Sequence, residues 1–151
     1  MQTRRQALQT SATLVATVGS IGFIPQAQAA YDKNAFAAKS IQEAVKSMGG
    51  NTMAESADVK IVGPDIAENG AVVPMGVASA LPGIKKLLLL IEKNPSVLVA
   101  SFNVSDAVEP NFSTRAKMGQ SSDVYAVAVL ADGRALFAKK EVKVTLGGCG
   151  G

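Results

Sequence analysis

The Asp132-Gly133 pair constrains the fold of this chain more than any other feature. Asp-Gly is a strong hairpin signal, because glycine readily adopts the positive φ that a tight turn between twisted strands requires. An apolar run at residues 124–130 precedes it and a long alternating segment at residues 134–146 follows it. Together they predict a hairpin. In the second strand Leu136, Ala138, Val142, Val144 and Leu146 share one parity, and Lys140 falls among them. Either a bulge near Lys139-Lys140 or a lysine reaching the rim of the sheet reconciles that pattern.

From about residue 57 the rest of the chain reads as short β-rich runs between turn residues. Val59-Lys60-Ile61-Val62 closes at Gly63-Pro64. Residues 71–77 follow Asn69-Gly70, and Pro74 within them has no N–H for a ladder, which predicts an edge strand or a bulge. Residues 85–91 are bracketed by Pro82-Gly83 and Asn94-Pro95. Their five consecutive apolar residues would suit a short helix, but the length and the brackets favour a strand. Residues 97–104 give a better strand and residues 112–118 a weaker one. About seven strands in roughly ninety residues predict a mainly β protein, a β-sandwich. Upstream, residues 32–48 read as one amphipathic helix capped by Asp32 and stopped by Gly49-Gly50. Phe36, Ala37, Ile41, Ala44, Val45 and Met48 form its apolar face, which packs on the body or binds a partner.

Residues 1–29 have the build of a cleavable export signal. Arg4 and Arg5 are their only charges, residues 12–24 are modestly apolar, and Ala27-Gln28-Ala29 offers small residues for cleavage after Ala29. The apolar run is shorter than the ~20 residues a spanning helix needs. Thr3-Arg4-Arg5-Gln6-Ala7-Leu8-Gln9 is similar to twin-arginine signals, departing at Ala7, where Phe is common, and at Gln9, where Lys is common. The expectation is a periplasmic protein, off the membrane once the signal is cut, with residues 30–146 as its folded domain. Loss of the two arginines takes the net charge from +3 to +1. That is no electrostatic footprint for nucleic acid.

The side-chain inventory excludes most chemistry. The sequence has no histidine and one cysteine, so neither the commonest general base nor a structural zinc site is on offer. Asp65, Glu68, Asp106 and Glu109 have no spacing that marks an acid–base pair. By elimination the reactive group is Cys149, in Gly147-Gly148-Cys149-Gly150-Gly151. Glycine on both sides predicts a flexible arm delivered by the strand before it. A free thiol titrates near 8.5 and is mostly protonated at neutral pH. The nearest fixed charge, the Gly151 carboxylate, disfavours the thiolate. Such a thiol is built to be acted on, so no catalytic residue is expected in cis and no metal or cofactor is expected on the chain.

The ending Glu141-Val142-Lys143-Val144-Thr145-Leu146-Gly147-Gly148-Cys149-Gly150-Gly151 resembles the SoxY family, sulfur carriers of the bacterial thiosulfate-oxidising (Sox) system. Gly63-Pro64-Asp65-Ile66-Ala67-Glu68-Asn69-Gly70, Leu81-Pro82-Gly83, Glu92-Lys93-Asn94-Pro95 and Ser113-Thr114-Arg115 are similar to the same family. The resemblance implies an immunoglobulin-like sandwich with a helical N-terminal segment. It implies Cys149 as the covalent attachment point and Gly147, Gly148, Gly150 and Gly151 as a swinging arm. It also implies a SoxZ-like subunit in a heterodimer, a c-type haem enzyme that couples thiosulfate to the cysteine, and a di-manganese hydrolase that releases sulfate. A sulfane dehydrogenase is a further partner it allows. Haem and manganese belong to those enzymes. Candidate surfaces for the SoxZ-like subunit are residues 87–91 and 97–102, whose apolar runs core packing explains equally well. The alternative from a different class is an exported adaptor that uses Cys149 for a disulfide-linked dimer.

Overall fold

In a computed structural model that describes residues 33–145, Leu87-Leu88-Leu89-Leu90-Ile91 folds as a strand with all five side chains fully buried. Successive side chains of a strand point to opposite faces, so a continuous apolar run requires cover on both. Leu87, Leu89 and Ile91 join an inter-sheet core with Val73, Met75, Val77, Val124, Ala126 and Val142. Leu88 and Leu90 join a second cluster with Ile41, Ala44, Val45, Val127 and Val129. One face meets the opposing sheet and the other meets two helices.

The strands are β1 (Thr52–Glu55), β2 (Val59–Val62), β3 (Ile66–Ala67), β4 (Val73–Ser79), β5 (Ile84–Ile91), β6 (Leu98–Asn103), β7 (Asn111–Ala116), β8 (Ser122–Leu130) and β9 (Arg134–Val144). The larger sheet runs β1-β9-β8-β5-β6, with β3 also on β9, and the smaller runs β2-β4-β7. β1 and β3 lie parallel to β9 along the edge that β8 leaves open; the other pairs are antiparallel. The architecture is an immunoglobulin-like sandwich. At its open side Phe102 of β6 stacks on Phe112 of β7, centroids 4.5 Å apart and rings parallel to 1°.

The seven predicted strands are present, and two short ones join them. β1, Thr-Met-Ala-Glu, is exposed along most of its length and β3 has two residues, so neither carries a readable alternation; their pairing with β9 makes them strands. The β8–β9 loop comprises residues 131–133, with Gly133 at φ +86° and the Asp132 carboxylate accepting the Arg134 N–H at 3.0 Å. No bulge interrupts β9, whose register with β8 is continuous. The rim alternative holds instead, since the Lys140 ammonium reaches the Gly63 carbonyl at 2.6 Å. Pro74 corrects the edge-strand expectation: β4 is the middle strand of its sheet. The β2 ladder, however, ends at Val62 opposite Gly76. Pro74 therefore has a neighbour strand on one side only, β7 at Arg115, and the missing N–H costs no ladder bond on the β2 side.

The single helix expected over residues 32–48 is two, α1 (Lys33–Ala37) and α2 (Ile41–Ser47). Ser40 is extended (φ −132°, ψ 156°) and its hydroxyl accepts the Glu43 N–H at 3.2 Å. The Glu43 carboxylate accepts the Lys39 N–H at 3.0 Å. Ser40-Ile41-Gln42-Glu43 thus works as a variant of the capping box, its return bond one residue earlier at Lys39, and starts a helix afresh. The break shifts the phase of the first turn. Ala35 and Ala38 are buried there, Ala37 is exposed and Phe36 only half-buried.

Residues 87–91 are covered by the chain's own helices and opposing sheet, which removes them as a partner surface. Val97 and Leu98 are buried as well. Leu88→Ala and Leu89→Ala should each lower unfolding free energy by about 2–5 kcal/mol in urea titrations, the usual cost of truncating a buried leucine. Leu88→Ala alone should also speed amide exchange across residues 33–48, because it undercuts the helices.

Candidate functional site at the root of the Cys149 segment

The signal residues Arg4 and Arg5, the cleavage position after Ala29, and Gly147, Gly148, Cys149, Gly150 and Gly151 lie outside the described residues. What the structure describes is the platform from which the cysteine segment departs. The end of β9 is held on both sides up to Val144, and Thr145 beyond it on the β3 side. On the β3 side, Lys143 N–H donates to the Asp65 carbonyl at 2.9 Å and Thr145 N–H to the Ala67 carbonyl at 3.1 Å. On the other side β8 ends opposite Val142. There the Ser121 hydroxyl takes over, accepting the Val144 N–H at 2.9 Å.

Behind this exit Gly70 packs against Val144 and the β7–β8 connection. Its carbonyl accepts the Met118 N–H at 2.7 Å, and a Cβ there would stand 2.3 Å from the Met118 carbonyl oxygen and 2.9 Å from Val144 Cγ1. Only glycine fits. Residues 63–70 therefore form one strap along the last third of β9. Its upstream end is tied by Lys140, which donates to the Gly63 carbonyl and pairs with Asp65 Oδ1 at 2.9 Å. Its middle is β3, and its downstream end is Gly70.

Cys149 is four residues past Thr145. At ~3.3–3.6 Å per extended residue, the chain length places the Cys149 Cα at most about 13–14 Å from that of Thr145. A cleft of about 570 Å³ lined by Asp58, Lys60, Ser79, Glu109 and Pro110 lies at the Ser79 end of β4. Among the described residues no three His, Cys, Asp or Glu side chains gather in a way that could hold a metal ion.

Residues 44–149 match the family described as sulfur oxidation protein SoxY. The chain belongs to the SoxY family. Among solved structures this SoxY is similar to the sulfur carrier protein SoxY from Chlorobium limicola f thiosulfatophilum, with 37% identity and a TM-score of 0.57 over 62% of this chain and 84% of that one. It is also similar to a superoxide reductase (neelaredoxin) from Ignicoccus hospitalis, with 21% identity and a TM-score of 0.51 over 58% and 80% of the two chains. That second likeness carries the fold alone. No curated protein matched the sequence.

Of the stretches that carried the family resemblance, residues 63–70 prove to be the strap. Asn94 ties the β5–β6 turn to Lys117 on the β7–β8 connection, its side-chain amide donating to that carbonyl at 2.8 Å. The sequence reading missed β3, the Ser121 bond and the fit at Gly70. The Gly-Pro and Asn-Gly brackets around residues 63–70 were the one signal for a strap.

The Lys140 link is testable by pH. Its hydrogen bond and charge hold the Asp65 carboxyl below the ordinary aspartate value of 3.8, although the Asp65 side chain is 88% exposed. A carboxyl depressed in the folded state adds stability above its unfolded pKa and loses it as pH falls through the folded one. The unfolding midpoint of Asp65→Asn should therefore lie below that of the wild type at pH 6, and the two should converge as the pH is lowered through and below 3.8.

Proposed function

We propose that this chain is a covalent sulfur-substrate carrier of periplasmic thiosulfate oxidation, and not an enzyme. Its Cys149 holds S-thiosulfonate and persulfide intermediates and presents them to partner active sites. The observation that carries the reading is the SoxY family match running through Cys149, the one cysteine of the sequence. The described structure adds a fixed root: the backbone is anchored at Thr145, four residues before that cysteine.

The cycle balances as follows. Thiol and thiosulfate join through a new sulfur–sulfur bond, releasing one proton and passing two electrons to a haem partner. Water then attacks the terminal sulfonate at a di-manganese partner. Sulfate leaves, and the cysteine keeps the sulfane sulfur as a persulfide. The presence or absence of a sulfane dehydrogenase does not alter what the carrier must do. Gly147, Gly148, Gly150 and Gly151 add no side-chain bulk and leave the backbone its widest choice of conformations, which suits passage of the thiol through a narrow entrance. A SoxZ-like subunit completes the carrier as a heterodimer. Export by the Arg4-Arg5 signal, with cleavage after Ala29, brings it to the periplasm.

Intact-mass spectrometry of protein isolated from thiosulfate-grown cells tests this reading. Reductant-sensitive additions of sulfane sulfur or S-thiosulfonate should map to the Cys149 peptide. They should vanish in Cys149→Ser, whose unfolding transition should match the wild type. Gly148→Val should load about tenfold or more slowly, as expected when a reacting atom is held out of its geometry. An unmodified thiol, or only a homodimer disulfide, in cells that are oxidising thiosulfate would instead select the adaptor.

A further inference from the structure

Glycine follows an asparagine or aspartate at two places in the chain, Asn69-Gly70 and Asp132-Gly133. Glycine has no side chain to shield its own nitrogen, so each pair invites ring closure from that nitrogen onto the preceding side chain. The fold treats the two pairs in opposite ways. The Gly133 N–H is tied to the Leu130 carbonyl at 3.1 Å. The Asp132 carboxylate accepts the Arg134 N–H and pairs with its guanidinium at 2.7 Å, and these bonds hold its carboxyl below the ordinary 3.8. An ionised carboxylate is a poor electrophile, and a nitrogen already engaged is a poor nucleophile. That pair is closed to the reaction.

Asn69 lacks both safeguards. Its amide is neutral and the residue is exposed. Its Oδ1 accepts the Ala71 N–H at 2.9 Å, and its backbone carbonyl accepts the Val72 N–H at 3.4 Å. The first bond closes an Asx turn, which folds the side-chain carbonyl back over the peptide joining Asn69 to Gly70. The Ala71 N–H also polarises that carbonyl and stands where an oxyanion forms once its carbon is attacked. Among the described residues no acceptor takes the Gly70 N–H.

We propose that Asn69 is a site of spontaneous deamidation, and that its isoaspartate product unhooks the downstream end of the strap from Met118. The Gly70 nitrogen gives its proton to hydroxide and bonds to Asn69 Cγ, and the side-chain amide leaves as ammonia. Water then opens the succinimide at one carbonyl or the other, giving aspartate or isoaspartate. No oxidant or enzyme is needed. Isoaspartate runs the main chain through the side-chain carbons, so one backbone atom is added immediately before Gly70. Gly70 has no room for that shift. Its carbonyl accepts the Met118 N–H at 2.7 Å, and a Cβ on it would stand 2.3 Å from the Met118 carbonyl oxygen and 2.9 Å from Val144 Cγ1. The lengthened backbone loses the Met118 bond and slackens against Val144. The Lys140 tie to Gly63 and Asp65 lies on the far side of β3 and stays.

The test ages the purified protein beside its tryptic peptide of residues 61–85, in which Asn69 is the one asparagine, in warm, mildly alkaline buffer. Peptide mapping with isoaspartyl methyltransferase labelling reads the conversion, and amide exchange by NMR reads the strap. Asn69 should convert at a pace comparable with the free peptide and ahead of Asn51, Asn103 and Asn111, while Asp132 stays unisomerised. In the isoaspartate fraction the Met118 amide should exchange about fivefold faster or more, the equilibrium weight of one lost hydrogen bond, with the Lys143 amide unchanged. Asn69→Asp adds the charge without the extra backbone atom, so its Met118 amide should exchange like that of the wild type. Asn69 still intact when the free peptide has converted would overturn the site. Isoaspartate with an unchanged Met118 amide, or equal acceleration in Asn69→Asp, would overturn the unhooking.

Discussion

Burial of β5 on both faces is the constraint from which the rest of the structure follows. A sheet strand lined by Leu87, Leu89 and Ile91 on one side and by Leu88 and Leu90 on the other cannot be covered by the small sheet alone. The helices α1 and α2 supply the second cover, and the capping box at Ser40 and Glu43 sets the phase at which α2 meets the sheet. With β5 enclosed, the larger sheet is a rigid backing for β8 and β9. Everything at the cysteine end is mounted on that backing.

β9 is the element that turns this rigidity into function. It is long, it pairs with β8 along most of its length, and its outer edge is shared by β1 near its start and β3 near its end. Parallel neighbours cannot arise from a tight hairpin; they require the chain to cross between sheets. Residues 63–65 make that crossing between β2 and β3, and Lys140 fastens it. The lysine sits on the inward parity of β9 and sends its ammonium to the rim, a use of a long aliphatic stem with a polar tip. The same strap that completes the sandwich edge anchors the backbone at Thr145, four residues before Cys149.

Legibility in the sequence followed the range of the interactions involved. The hairpin at Asp132-Gly133 and the strand at residues 85–91 were readable because turn chemistry and apolar runs are local. The capping box was readable in principle as Ser-x-x-Glu, yet the broad apolar periodicity of residues 32–48 masked it. β3 was not readable at all: two residues carry no pattern, and only the edge of β9 makes them a strand. Pro74 misled for a related reason. A proline reports the absence of a ladder bond at its own position, and β4 is an edge at Pro74 while central two residues later.

The sequence by itself determined a β-rich chain with a terminal hairpin, a chemical inventory without histidine, and one thiol among glycines, because composition and nearest-neighbour patterns are properties of the chain before it folds. Tertiary structure alone decided that residues 63–70 lie beside the end of β9 and that Lys140 reaches them. Those facts depend on pairings between segments some seventy to eighty residues apart. Such contacts form only when burial of the two clusters brings distant strands into register, and no local pattern encodes the neighbour they will find.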